Sequence, residues 1–449
     1  MEDDGKEKLQ KTKASSGWSD LWKKEDWWAV WLGLGIVFAG ILFWSMGGSI
    51  KPIAVKVPTW SEFSVVSQFL AENFTNIILL FLVLAGVFAI AIKVLGHKVS
   101  DFLKGFIIVF IMSLVILILG SNTWFKAYNL EAPLVALALG LIIGNGVKIP
   151  DWMNASLRTE FYVKTGIVLL GATLPFTLIL ESGPVAFGQA TIIAVTTFMS
   201  IYWAGTRLFG LDKRFAATLG AGGSICGVSA SIAIGGAVKA EQKHVSVAIS
   251  LVVVWAIVMI FTLPFLIKLL GIAEGPAGAW IGTSEFADAA GMAAAAAIGE
   301  QAIRSFTLMK VVGRDMFIGI WCFILAIVSI TKWEKREDGT KPDAMEIWHR
   351  FPKFVLGFFI TSAIVTFLLT SVTADSASIV NSDVIAPIKV LRTWAFIFCF
   401  FCIGLTTRFK DLTSVGWKPF AAFTTGVAIN VPLGFILSVL LLGSYWSGV

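Results

Sequence analysis

The chain is a succession of long apolar runs broken by short polar stretches. Residues 27–50, 73–92, 105–125, 182–206, 215–238, 245–267, 354–374 and 419–449 contain no Lys, Arg, Asp or Glu. Each approaches or exceeds the ~20 residues that cross a ~30 Å hydrocarbon core as a helix. Shorter runs at 132–147, 165–180, 289–303, 316–331 and 393–407 predict further helices. A helix satisfies its own backbone hydrogen bonds, which lipid cannot do. The pattern therefore predicts an all-α polytopic membrane protein with about thirteen transmembrane helices.

Residues 1–26 form a polar tail with six lysines, and Trp27, Trp28 and Trp31 enter the first apolar run at headgroup level. Residues 27–120 read as additional N-terminal transmembrane helices, and 121–449 as the core. The strongest hydrophilic break, 332–353, separates structural units within that core. With the N-terminus inside, thirteen spans place 25 of the 35 Lys and Arg residues on the inside. That bias favours a cytoplasmic N-terminus. Two segments fit poorly. The nominally internal 268–283 holds a single Lys, while the nominally external 304–314 holds Arg304, Lys310 and Arg314. Either a span near 283–303 is not a simple crossing, or those cations serve a purpose.

Composition narrows the function. Hydrophobic residues make up 57% and charged ones 14%, against about 25% charged in soluble domains. The net charge of +6 is spread along the chain, which argues against a nucleic-acid partner. No secretory signal pattern precedes the first run. No phosphate-binding loop, HExxH helix or GxSxG elbow occurs. His97, His244 and His349 lie in separate loops, so no metal site and no cofactor are expected. Cys226, Cys322, Cys399 and Cys402 all lie in apolar segments, which argues against disulfides.

Sliding the sequence by 233 positions reveals a repeat. Gly171, Thr173, Phe176, Gly183, Phe187 and Thr191 fall over Gly404, Thr406, Phe409, Gly416, Phe420 and Thr424. The copies belong to the fifth and twelfth predicted spans and so run in opposite directions. Weak similarity with inverted topology is the mark of secondary transporters; chance likeness between apolar stretches is the alternative.

The segment Gly220–Ser231 holds Gly222, Gly223, Ser224, Ile225, Cys226, Gly227 and Ser229 inside an uncharged stretch. Clustered Gly and Ser make a poor continuous helix. A helix broken here would present free N–H groups, with the Ser224 and Ser229 hydroxyls, to an anion near midplane. Close helix packing by small residues would use the same composition. Glu285 and Asp288, three apart, are expected on one helical face, with Glu300 following on the same apolar run. Acidic groups within a membrane bind or relay a cation or proton, or pair with Arg304 or Lys310 at the interface. Arg408 after Thr406 and Thr407 offers paired donors to an oxyanion or anchors a cytoplasmic end. Asn145 either caps its helix or lines a path. Cys399 and Cys402 form a CxxC pair with aromatic flanks and no nearby acid or base.

The segment Gly222–Ala230 resembles the hallmark of the YeiH-type sulfate exporter family. Leu169–Gly171, Ile403–Phe409 and Lys310-Val-Val-Gly-Arg314 are similar to further elements of it. The likeness covers about residues 130–430. It implies an inner-membrane transporter of small anions, related in fold to sodium/bile-acid symporters and sodium/proton antiporters, with inverted repeats whose broken helices cross at midplane. The family pattern carries a His and a Gln where this chain has Ser284 and Asp288.

The expectation is a secondary transporter of a small oxyanion such as sulfate, sulfite or an organosulfonate. Its substrate would sit at Gly223–Gly227 and Ser229, with Gly171, Thr173, Gly404, Thr406, Thr407 and Arg408 from the repeat-related spans. Glu285 and Asp288 would hold a coupling proton or sodium ion, and small-residue spacing such as Gly140-x-x-x-Gly144 leaves room for helix contacts, including those of a homo-oligomer. The rival readings are a membrane thiol oxidoreductase using Cys399 and Cys402, and a passive anion channel.

Overall fold

The computed structural model describes residues 20–127, 132–174, 176–315, 317–333, 352–407 and 416–449. Arg408, the polar tail up to residue 19 and most of the 332–353 break lie outside the described residues. The described residues are mostly helical, with no strand among them, and eight of the helices are long and apolar enough to cross a membrane.

In chain order, α1 (Glu25–Ser45), α2 (Phe74–Val94) and α3 (Val99–Gly120) form the N-terminal group. Then follow α4 (Ala132–Gly146), α5 (Thr159–Gly171) and α6 (Phe176–Trp203). Next come α7 (Lys213–Ser224), α8 (Val228–Ala237), α9 (Gln242–Leu269), α10 (Glu274–Ser284) and α11 (Asp288–Ala296). Further along lie α12 (Glu300–Thr307), α13 (Phe317–Val328), α14 (Lys353–Ser371), α15 (Ala386–Thr406) and α16 (Trp417–Phe435).

The repeat-related helices pack against each other in opposite senses. Along α5 and α15, Ser156 lies near Cys402, Tyr162 against Phe398, and Thr173 against Arg392. Along α6 and α16, Gln189 bonds Ser438 and Thr197 bonds Asn430. Ascending numbers in one helix meet descending numbers in the other, so both pairs are antiparallel.

The break expected from composition at Gly220–Ser231 is present, a second lies between Ser284 and Asp288, and each broken element turns back on itself. In the first, Arg214 at the start of α7 donates to the Lys239 carbonyl just past the end of α8, at 3.3 Å. Gly235 of α8 lies beside Thr218 of α7, and Gly222 beside Ser231. In the second, Glu274 at the start of α10 meets Gly299 beyond α11 and accepts from the Gln301 N–H at 3.1 Å. A straight broken helix would hold Glu274 and Gly299 more than ~30 Å apart at 1.5 Å per residue. Both are therefore re-entrant hairpins. They enter from opposite faces: the first from the face where α1 and α14 begin, the second from the face where the chain ends beside Gln301.

This geometry corrects the counting of spans, because neither 215–238 nor the stretch around 283–303 adds a crossing. It also moves 268–283 to the face opposite the first hairpin, which accounts for its lack of cations. Gly140 and Gly144 pack on the backbone of Gly404 and Leu405 in α15, so that small-residue spacing serves a contact within the chain.

Candidate functional site

The hairpin tips meet inside the protein. The first tip, Ile225-Cys226-Gly227, turns with Gly227 at φ +81°, a left-handed conformation that glycine adopts without a Cβ penalty. No room exists there for a side chain, since a Cβ on Gly227 would strike the Phe286 carbonyl of the second tip and the Val252 side chain. The second tip is Glu285-Phe286-Ala287.

A helix entering a membrane and stopping halfway leaves carbonyls without partners and a partial negative charge at its end. Two buried cations answer both ends at once. Lys310 Nζ donates to the Ile225 carbonyl at 2.7 Å and the Glu285 carbonyl at 3.0 Å. The Arg314 guanidinium donates to Ser224 O at 3.0 Å, Gly282 O at 2.9 Å, Thr283 O at 2.8 Å and Glu285 O at 3.1 Å. Both side chains are wholly buried. They project from Leu308–Arg314, where the helix widens to a π-helical stretch. The excess of cations in 304–314 thus has a structural purpose, and Asn430 adds a further donor to Thr283 O at 3.1 Å.

The returning helices α8 and α11 start at these tips with no side-chain cap, so their first N–H groups face the junction. Glu285 and Asp288 do not share a helical face. They straddle the second tip, because α10 ends before one and α11 begins with the other. Glu285 Oε1 accepts from the N–H groups of Phe286 and Ala287 and so shapes the tip. Asp288 Oδ1 lies 3.7 Å from Lys310 Nζ.

A cavity of about 100 Å³ runs from the tips toward the face where α1 begins, lined by Cys226, Asp288 and Asp315 at its floor and by Lys164 and Asp26 nearer its mouth. Lys164 Nζ and Asp26 Oδ1 are 2.8 Å apart. One ligand atom each from Cys226, Asp288 and Asp315 fall within 4.8 Å of one another. Asp288 Oδ1 and both oxygens of Asp315 are buried without a hydrogen-bond partner among the described residues. Asp315, Lys164 and Asp26 are missing from the sequence-derived site. The legible signal for Asp315 was its place directly after two intramembrane cations.

Ser224 and Ser229 lie at the junction, while the residues of the repeat-related spans pack elsewhere. The Ser224 hydroxyl turns to its own helix, toward Ala221 O at 3.5 Å, and Ser224 contributes its carbonyl. Ser229 lies in the first turn of α8. Gly171 packs on Phe358 and Thr361 of α14, and Gly404 on α4. The hydroxyls of Thr173, Thr406 and Thr407 each donate to a carbonyl of their own chain segment three or four residues back. Asn145 Nδ2 donates to Leu141 O at 3.0 Å and Thr407 O at 2.9 Å, closing the end of α4 onto α15. Cys399 and Cys402 are buried on the unbroken α15, with Cys402 Sγ 4.0 Å from Ser156 O. Glu300 opens α12 and pairs with Arg392 at 2.9 Å and Lys389 at 3.3 Å. These three line a second cavity of about 980 Å³, with Val55–Thr59, Trp394 and Phe400, on the opposite face.

Residues 104–423 match the model of a family described as Conserved hypothetical protein 698. The chain is similar to a UPF0324 membrane protein of Rhodopirellula baltica, 32% identical over 87% of this chain and 72% of that one. A UPF0324 membrane protein of Nitrosomonas europaea is 32% identical over 89% of this chain and 91% of its own length. A third, from Nitratidesulfovibrio vulgaris, is 32% identical over 80% of this chain, which spans 62% of that protein. No solved structure matches the chain.

Proposed function

The chain belongs to the YeiH-type UPF0324 family of membrane proteins, and we propose that it is a secondary transporter of a small anion working by alternating access. One observation carries this reading. Two hairpin tips from opposite faces are stapled together by Lys310 and Arg314, beside oxygens of Asp288 and Asp315 that have no hydrogen-bond partner among the described residues. Irregular backbone and unpaired charge at membrane depth are costly, and they mark substrate and ion pathways.

The charge inventory suggests how coupling works. Glu285, Asp288 and Asp315 set three carboxylates against the two cations Lys310 and Arg314. Fully ionised, the junction is one negative charge in excess. A sulfate, sulfite or organosulfonate headgroup approaching the N–H groups of α8 would meet Asp288 and Asp315 across a cavity of about 100 Å³. Repulsion in so dry a site bars the anion until a proton or a sodium ion neutralises a carboxylate. Anion and cation therefore occupy the cavity together. A passive channel has no need of that arrangement. A thiol oxidoreductase would need thiols that a redox partner can reach, and Cys399 and Cys402 are fully buried.

The proposal places the protein in the inner membrane, with the α1 face cytoplasmic. The test is uptake of labelled sulfate, sulfite and taurine into proteoliposomes under imposed proton or sodium gradients. Gradient-driven uptake should disappear in Asp288→Asn and Asp315→Asn at equal protein levels. Uptake that ignores both gradients, or survives both substitutions, defeats the coupled reading.

A further inference from the structure

The 980 Å³ cavity on the face opposite the α1 start plays no part in the coupling chemistry above. Clefts of roughly 300–1,000 Å³ hold drug-sized molecules, so its size far exceeds what a bare oxyanion needs. Its walls are apolar and aromatic, with Val57, Trp394, Phe396 and Phe400 among them. Its polar groups are mainly cationic: Lys56, Lys389 and Arg392 face a single carboxylate, Glu300.

Arg392 is the built element. It is 2% exposed and fixed by two bonds, Nη1 to Thr173 Oγ1 at 3.1 Å and Nη2 to Glu300 Oε1 at 2.9 Å. Its Nε is buried with no partner among the described residues. A buried guanidinium with a spare donor recognises an oxyanion by directed, charge-assisted hydrogen bonds. Glu300 neutralises part of this charge, yet it shares its carboxylate between Arg392 and Lys389 and leaves the cluster net positive. The loop that carries Lys56 is held in place by the Trp394 indole, which donates to Val55 O at 2.9 Å.

From this juxtaposition we infer that the vestibule binds an organic anion with an apolar body, its acidic headgroup on Arg392 and its body against Trp394, Phe396 and Phe400. Resting on the transport reading, it assigns the substrate class: an organic sulfonate or similar amphiphilic anion ranks above inorganic sulfate. Residues 55–59 lie outside the 104–423 family match, so the loop between α1 and α2 of this chain helps to select the body of the ligand.

The experiment is calorimetric titration of the purified full chain in phosphatidylcholine nanodiscs with naphthalene-2-sulfonate, sodium sulfate and naphthalenemethanol. The sulfonate should bind roughly tenfold or more tightly than either comparator, since each lacks one of the two recognition elements. Lys389→Ala should weaken it several-fold and Arg392→Gln should abolish it, with both variants first shown to melt as the parent does. If Arg392→Gln does not fold, Lys56→Glu and Lys389→Glu supply the charge test. Equal affinity for the neutral alcohol, tighter binding of sulfate, or indifference to every charge variant overturns the inference. Competition by phosphatidylglycerol added to the nanodiscs would assign the vestibule to a lipid headgroup and overturn it as a substrate site. Asp288→Asn should leave this binding intact, so loss of coupled transport and loss of vestibule binding are separable results.

Discussion

Asn430 donates its side-chain amide to the Thr197 hydroxyl at 2.8 Å, and the two residues stand 233 positions apart, the offset of the internal repeat. Exchanging the repeats maps this pair onto itself. The antiparallel helices α6 and α16 are thus joined at their point of pseudo-symmetry. The same amide reaches Thr283 O, at the end of the helix that Arg314 caps. The axis of the repeat therefore passes close to the hairpin junction. That is where two inverted halves would pivot against each other.

Asn430→Ala removes both bonds from a fully buried position. Polar contacts between membrane helices are worth about 0.6–1.7 kcal/mol each. The variant should therefore melt several degrees below the parent in detergent. Thr197→Val, which loses only one of the two, should fall between them. Equal melting of all three proteins would remove this pair from the account of the junction.

Arg314→Lys should be nearly as damaging as Arg314→Met. A lysine keeps the charge, but its three donors on a flexible stem cannot reach carbonyls of Ser224, Gly282, Thr283 and Glu285 together. Leaving carbonyls of two half-membrane helices unpaired costs about 3 kcal/mol or more. Protein yield and melting temperature in detergent report it. A lysine variant that melts like the parent would mean that charge alone holds the tips.

The apolar helices and the first break were legible because apolar run length and clustered small residues are local properties, whereas the second break was read as one helical face. The direction taken after each break was not legible. Gly222–Ser231 says that a helix must stop, while the return of α8 along α7 depends on pairs such as Gly235 with Thr218 that no local pattern encodes. The poorly fitting charges at 268–283 and 304–314 were the trace of those hairpins. Lys310 and Arg314 were visible as anomalies, but their partners at Ser224 and Ile225 lie 85 to 90 residues away. Thr406 and Thr407 show the opposite error of attention. A threonine in an apolar helix bonds its own backbone by default, as both do here.

Gly227 and Gly47 separate backbone strain from tip contact. Both have positive φ, +81° and +77°, but a Cβ at Gly47 meets nothing within 4 Å while one at Gly227 strikes Val252 and the Phe286 carbonyl. Gly47→Ala should cost only the roughly 1–2 kcal/mol of a left-handed alanine. Gly227→Ala should cost clearly more, because the two tips must part to admit the methyl group. Comparable melting shifts for the two variants would show that the tips yield freely.

Cys226 reports on the charge of the cavity. It is 5% exposed at the cavity floor, whereas Cys399 and Cys402 are fully buried. In a Cys322→Ala background, a small methanethiosulfonate reagent should modify Cys226 and spare the pair on α15. With Asp288 and Asp315 ionised beside the thiol, a cationic ethylammonium reagent should react about tenfold faster than an anionic sulfonatoethyl one. Acidification that protonates these carboxylates removes the repulsion, so the two rates should converge and then cross as pH falls. In Asp288→Asn with Asp315→Asn the anionic reagent should be the faster one at neutral pH, because Lys310 and Arg314 then outnumber Glu285. Rates that do not depend on reagent charge in the parent protein would remove the electrostatic gate, and with it the reason for anion and cation to enter together.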